Sequence, residues 1–331
     1  MISVVVPIYN EEGLIVRFHE AVANSLREAT DDWEVVYVND GSIDSSLELL
    51  RGLQNQDSRV VVVELSRNWG HMGAISAGLH TAQGDAVILM DGDFQDPPEV
   101  LPQLIDAWRG GAEVVVGVRR SRQERRRLLA ALFPLFYRIL GMLSDYPIPL
   151  NAGIFSLMDR KAVDSIIAMR ERNRYLPGLR AWVGYCNAIV YYDRQDRAGG
   201  EGKLSFISRI KYAMDAITSF SYKPLRLSFG LFILSGCLAV ILMATAMLFS
   251  GSPATSAAFG VASAVFFMGS LLLLPLGLLG EYVGRVYDEV RGRPLSLISR
   301  VHRINISDTS ETDSGSFATQ SSNQSNATWA A

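Results

Sequence analysis

Two carboxylates one residue apart, Asp91 and Asp93, leave the apolar run Ala86-Val87-Ile88-Leu89-Met90 with only Gly92 between them. A run of that length, preceded by Gly84-Asp85, reads as a strand buried in a sheet. Acidic side chains at its exit are too costly to bury unpaired, so they face something cationic. Hard divalent ions such as Mg²⁺ take oxygen ligands and commonly bridge carboxylates to phosphates. The pattern points to a metal that holds a nucleotide diphosphate. In isolation an Asp-x-Asp pair also fits a solvated turn, and the neighbouring elements favour the site.

Those neighbours repeat the arrangement. Ile2–Val6 reads as a strand that exits into Pro7-Ile8-Tyr9-Asn10-Glu11-Glu12, and Glu34–Val38 as one that exits into Asn39-Asp40-Gly41-Ser42. Val60–Leu65 precedes Ser66-Arg67-Asn68-Trp69-Gly70, and Val114–Gly117 precedes Arg119. Helical patterns cover Gly13 to about Thr30, Ser45–Gln54 and Met72–Ala82. Strands that alternate with helices predict an α/β fold with a mostly parallel, doubly wound sheet and ligands at the carboxyl ends of its strands. The acidic clusters fall at those ends.

The chain has 331 residues and a formal net charge of −3, which argues against a general nucleic-acid binder. Cys186 and Cys237 form no metal or redox motif and read as reduced, packed residues. The amino terminus runs straight into a strand without a signal-peptide pattern, so the catalytic domain is expected in the cytoplasm. Composition changes after residue 226: Leu227–Phe249 and Ala257–Gly280 contain no charged residue. Each is long enough, at about 1.5 Å per helical residue, to cross a hydrocarbon core of about 30 Å. A short connection, Ser250–Ser256, makes them a transmembrane hairpin. Lys223 and Arg226 before it, and Arg285, Arg291 and Arg293 after it, place both ends on the cytoplasmic side of the inner (plasma) membrane. Leu128–Ser144 reads either as an interfacial helix or as a core helix. The expected organisation is a catalytic domain over 1–226, the hairpin over 227–280 and a juxtamembrane segment over 281–306. A Ser/Thr/Asn/Gln-rich disordered tail over 307–331 completes it.

Val6-Pro7-Ile8-Tyr9-Asn10-Glu11-Glu12, Val38-Asn39-Asp40-Gly41-Ser42 and Met90-Asp91-Gly92-Asp93-Phe94-Gln95-Asp96-Pro97-Pro98-Glu99 resemble family 2 glycosyltransferases with the GT-A fold. Within that family the chain is similar to the polyprenyl-phosphate glycosyltransferases, among them bactoprenol glucosyltransferases and dolichyl-phosphate mannose synthase. The resemblance covers residues 1 to about 300. It implies that Pro7, Tyr9 and Glu11 cradle the base and ribose of a nucleotide sugar and that Asp40 contacts the base. Asp91 then lies toward ribose and diphosphate, while Asp93 and Gln95 ligate a divalent metal, Mg²⁺ or Mn²⁺. Asp96 either supports that shell or caps the turn at Pro97-Pro98.

A phosphorylated lipid acceptor needs cations to offset repulsion from the donor diphosphate, and Arg suits phosphate best. Arg119 matches the family's acceptor-phosphate arginine. In the run Arg125-Arg126-Arg127, a solvated face or lipid-headgroup contact is weighed against acceptor binding, and Arg126 is the candidate. Arg197-Ala198-Gly199-Gly200-Glu201-Gly202-Lys203 resembles the family loop that closes over the diphosphate, with Gly202 in place of the usual Ser. Ile154 stands where several relatives carry an acid nearby.

The implied reaction is inverting transfer of a hexose, with UDP-glucose as the first choice of donor, to undecaprenyl or another polyprenyl phosphate. The product is a lipid-linked monosaccharide for cell-envelope glycosylation. Catalytic roles fall to Asp91, Asp93, Arg119, Arg197 and Lys203. Membrane lipid and a second copy of the chain are the other expected partners. The alternatives are a processive polysaccharide synthase and a non-catalytic membrane adaptor.

Overall fold

Valine-rich runs form the strands because β-branched side chains fill a pleated surface, and runs apolar on both faces suit a sheet covered on both sides. The computed structural model describes residues 1–120, 152–169, 171–172, 174–193, 237, 241 and 253–304. Eight strands form one sheet: β1 (Ile2–Ile8), β2 (Trp33–Asn39), β3 (Val60–Leu65), β4 (Ala86–Leu89), β5 (Val114–Arg119), β6 (Ala152–Asp159), β7 (Asn187–Tyr192) and β8 (Ile298–His302). Their spatial order is β7-β5-β6-β4-β1-β2-β3-β8. β1 pairs in parallel with β2 and β4, β2 with β3, and β5 with β7. β6 runs antiparallel between β4 and β5, and β8 antiparallel along β3. The expected mostly parallel sheet is present, with two strands reversed.

Helices cover both faces. On one, α1 (Ile15–Ala29), α2 (Ser46–Gln56) and α4 (Leu101–Arg109) set Phe18, Leu26, Leu50 and Leu104 against Val4, Val6 and Tyr37. On the other, α3 (His71–Thr81), α5 (Arg160–Ala168) and α6 (Leu176–Val183) set Ile75, Leu79, Val163 and Leu179 against Val5, Val36 and Leu89. The two-residue alternation of a strand explains why Val5 faces the opposite layer from Val4 and Val6. In α1, buried Ile15, Phe18, Val22 and Leu26 recur every three or four residues. Each fully buried side chain of this kind contributes about 1.5–3 kcal/mol of transfer free energy.

The chain steps from β1 outward through β2 to β3, then returns to the other side of β1 as β4. Reversal of strand order opens a crevice beyond the carboxyl ends of the strands, where open α/β sheets bind ligands. The exits of β1, β2 and β4 all meet there.

The strand β8 was not expected. Its residues pair Val62 with His302, Val63 with Val301 and Glu64 with Arg300, and cover an edge that β3 would otherwise present. Next to it, Arg303 Nη1 donates to Glu34 Oε2 at 2.6 Å. Glu34 is 4% exposed and also accepts from Ser3 Oγ at 2.6 Å and from Gln83 N at 2.7 Å.

A 38-residue helix, α7 (Pro253–Val290), contains the second expected span and Pro275. Taken over the described residues alone, no helix is long and apolar enough to cross a membrane; several side chains between 257 and 280 lie outside that set. The first expected span, except Cys237 and Ile241, also lies outside it, as do the segment Leu128–Ser144 and the tail from 307. Cys186 and Cys237 are free and both are exposed, which corrects the expectation that they pack inside. Neither sits on an inward-facing position.

Glu34→Ala leaves three donors without their buried acceptor. It is expected to lower unfolding stability by about 3–5 kcal/mol, as measured by chemical denaturation of the full chain. An unchanged midpoint would show that the Arg303 contact is dispensable.

Candidate active site

The exit of β1 is shaped by Asn10, whose φ of 53° lies in the left-handed region that asparagine tolerates better than most residues. Its Oδ1 accepts from Ile43 N at 2.9 Å, and its own N–H donates to Ser42 Oγ at 3.1 Å. Glu11 N donates to Ser46 Oγ at 3.0 Å. The loops after β1 and β2 are thereby knitted together, with Tyr9 38% exposed at the rim.

Asp40, 4% exposed at the exit of β2, accepts from Trp69 N at 2.6 Å and Gly70 N at 3.0 Å. Burial raises its pKa, against the opposing pull of those two amides. The following Gly41 has φ of 65°, and a Cβ there would lie 2.6 Å from the backbone of Arg67 and Asn68. Only glycine lets the two loops approach so closely.

The third wall is the Asp91-Gly92-Asp93 turn. Asp93 Oδ1 accepts from Gln95 N at 3.1 Å across Phe94, which has φ of 62°. The Phe94 ring is fixed edge-on against Phe18 at 5.2 Å. Asp91 Oδ1 meets His71 Nε2 at 2.8 Å, and His71 is the first residue of α3. Burial works against the imidazolium, but the Asp91 hydrogen bond and the charges of Asp91, Asp40 and Asp93 outweigh it and raise the His71 pKa.

These walls enclose a cavity of about 320 Å³. Pro7, Tyr9, Glu11, Asp40, Asp91 and Asp93, all named from the sequence, line it together. Gln95, two residues past Asp93, is not among the lining residues. Arg119 lies beside a buried group: its Nε donates to Tyr192 Oη at 3.1 Å, and Nη2 stands 3.7 Å from Asp96 Oδ1. Burial lowers the Arg119 pKa, but Tyr192, Asp96 and Asp91 together raise it further. Asp96 is 1% exposed and accepts from Tyr192 Oη at 2.5 Å. Arg126, Arg197 and Lys203 lie outside the described residues.

Among the described residues no group of three or more His, Cys, Asp or Glu side chains is arranged to hold a metal ion. A divalent ion does not need one here. Mg²⁺ commonly takes one or two protein oxygens and completes its shell with phosphate and water. Asp93 on the cavity wall and Gln95, joined to it across the Phe94 turn, supply hard oxygen donors of that kind.

Comparison with known proteins decides the family. The family model described as glycosyl transferase family 2 matches residues 3–167. An uncharacterized glycosyltransferase of Bacillus subtilis, YkcC, is 39% identical over 305 residues, which is 91% of this chain and 94% of the relative. The chain belongs to glycosyltransferase family 2. A prophage-derived bactoprenol glucosyl transferase of Shigella flexneri is 38% identical to this family 2 glycosyltransferase over 92% of this chain and 99% of its own. Among solved structures, glucosyl-3-phosphoglycerate synthase from Mycobacterium tuberculosis aligns at 19% identity with a TM-score of 0.42. That alignment covers 66% of this chain and 78% of the other.

Three residues of this glycosyltransferase escaped the sequence reading. His71 opens α3, one residue ahead of the helical pattern Met72–Ala82 visible in the sequence. Tyr192, at the end of β7, carries no local signal that sets it apart. Arg180, 3% exposed, donates to the carbonyls of Gly153 at 2.6 Å and Ile154 at 3.1 Å, and burial lowers its pKa to about 10. It holds the backbone at Gly153 and Ile154.

Because the folded pKa of His71 is raised, its pairing with Asp91 stabilises fully below the ordinary histidine value of about 6.5. That contribution is lost as pH rises through the folded value. The melting-temperature gap between wild type and His71→Ala is therefore expected to shrink from pH 5.5 to pH 8.5. A gap that stays constant over that range would mean the contact is not ionic.

Proposed function

We propose that this glycosyltransferase moves a single hexose, glucose from UDP-glucose in the first instance, to a polyprenyl phosphate, with inversion at the anomeric carbon. The observation that carries the reading is the cavity at the sheet's switch point. Four carboxylates, Glu11, Asp40, Asp91 and Asp93, stand on its wall, and the charge of Asp91 reaches Arg119. Relatives that bear the name bactoprenol glucosyl transferase over nine-tenths of the chain support a lipid acceptor. So do the uncharged stretches 227–249 and 257–280. The same stretches support a hairpin in the inner membrane with the catalytic domain and both termini on the cytoplasmic side.

The chemistry asks little of a base. The second pKa of a phosphate monoester is about 6, so the acceptor oxygen is already ionised near neutrality. Positioning and leaving-group stabilisation carry the rate. Pro7, Tyr9 and Glu11 hold base and ribose, Asp40 contacts the base, and Asp91, oriented by His71, faces the ribose and diphosphate. Arg119 anchors the acceptor phosphate, with Arg126 as a second cation. Arg197 and Lys203 neutralise the departing nucleotide diphosphate. A divalent ion at Asp93 and Gln95 would supply Lewis-acid stabilisation of the same leaving group.

Detergent-purified full chain, incubated with radiolabelled nucleotide sugars and undecaprenyl phosphate, is expected to carry label from UDP-glucose into organic solvent as one sugar per lipid. Products of many lengths would favour the processive synthase instead. Asp93→Asn is expected to abolish transfer even at saturating Mg²⁺ or Mn²⁺, with membrane association retained. Wild-type turnover by that variant would remove the metal from the mechanism.

A further inference from the structure

Arg119, Asp96 and Tyr192 come from the end of β5, the loop after β4 and the end of β7, and meet in a place nearly closed to solvent. The Arg119 side chain is 17% exposed and that of Asp96 1%. A tyrosine hydroxyl carries one proton, and an ionised carboxylate can only accept. The 2.5 Å separation between Tyr192 Oη and Asp96 Oδ1 fits an O–H···O⁻ bond, so the proton points at Asp96. The hydroxyl's lone pairs are then turned to Arg119, whose Nε–H donates to it at 3.1 Å.

The direct pairing of Arg119 with Asp96 is loose, at 3.7 Å through Nη2. A two-pronged arginine–carboxylate bond would occupy the fork and cancel its charge. Of the two groups the phenol stands nearer, at Nε, and the carboxylate lies off Nη2. The phenol thus fixes the Nε edge of a guanidinium whose charge the carboxylate offsets from a longer distance.

The support is rigid. The Tyr192 ring stands edge-on to Phe155 at 5.2 Å and 82°. A Cβ on Gly117 would lie 2.6 Å from the Phe155 ring and 3.2 Å from that of Tyr192. A Cβ on Gly153 would stand 3.4 Å from Arg119 Nη2. Side chains locked in this way pre-organise a binding group.

We propose that Tyr192, oriented by Asp96, is a positioning residue for the acceptor: it fixes the Nε edge of Arg119 so that the rest of the guanidinium meets the lipid phosphate. The proposal rests on the assignment of Arg119 to the acceptor phosphate made above. It also joins the two halves of the site, because Asp96 directly follows Gln95 in the donor loop and Tyr192 closes the strand that leads toward Arg197.

The test is a pair of dissociation constants, for undecaprenyl phosphate and for UDP, on the full chain in lipid nanodiscs. Tyr192→Phe keeps the ring and removes the hydroxyl. It is expected to weaken undecaprenyl phosphate about tenfold, the size of a lost charge-assisted hydrogen bond, and to leave UDP within about twofold. In an Arg119→Ala background the same change is expected to add nothing, as it must if it acts only through Arg119. Asp96→Asn, which keeps the shape but not the charge, is expected to repeat the selective loss, and decides the matter if Tyr192→Phe weakens UDP as well. Unchanged lipid affinity in both single variants would overturn the proposal, and so would an effect of Tyr192→Phe that persists in full without Arg119. If Arg119→Ala alone leaves lipid affinity intact, the acceptor assignment beneath the proposal is wrong, and that result is read independently of Tyr192.

Discussion

The cavity depends on one carboxylate held almost entirely out of water. Asp40 leaves β2 and grips the backbone amides of Trp69 and Gly70, so the exit of β3 and the start of α3 are fixed to the exit of β2. From that anchor the geometry propagates. α3 begins at His71, His71 reaches Asp91, and Asp91 stands on the turn whose next acid is Asp93. An ion buried this deeply is tolerable only because two amide dipoles meet it at once. The raised pKa shows that burial still exceeds their help.

The second constraint is topological. Placing β4 on the far side of β1 from β2 brings three strand exits to one crevice, with no long loop needed to gather them. Family 2 membership and the position of the acidic turns are two aspects of that arrangement. Reversal of β6 between β4 and β5 places β5, with Arg119 at its end, two strands away from β4.

How much of this was legible in the sequence follows from range. β1 to β5 were readable because each is an unbroken apolar run followed by polar residues, and Pro7, Tyr9, Glu11, Asp40, Asp91 and Asp93 were readable because they sit directly at those exits. β8 was not. Ile298–His302 alternates too briefly to stand out, and its partner Glu64 lies 238 residues before His302. Asp96 fitted a cap beside Pro97-Pro98, and nothing local shows that its partner Tyr192 lies 96 residues away. His71 missed notice through a one-residue error in a helix start. Pairings fixed by packing leave no local trace, whereas those fixed by strand ends do.

The late strand has a consequence for biosynthesis. Until residues 298–302 leave the ribosome, β3 is an open edge and Glu34 waits for Arg303, which lies 269 residues downstream. At about 5–20 residues per second, the nascent sheet stays incomplete for tens of seconds. During that time the most apolar part of the chain is being made. A polypeptide interrupted before β8 would carry an unpaired strand next to an uncompensated acid, a combination suited to recognition by holding chaperones and proteases.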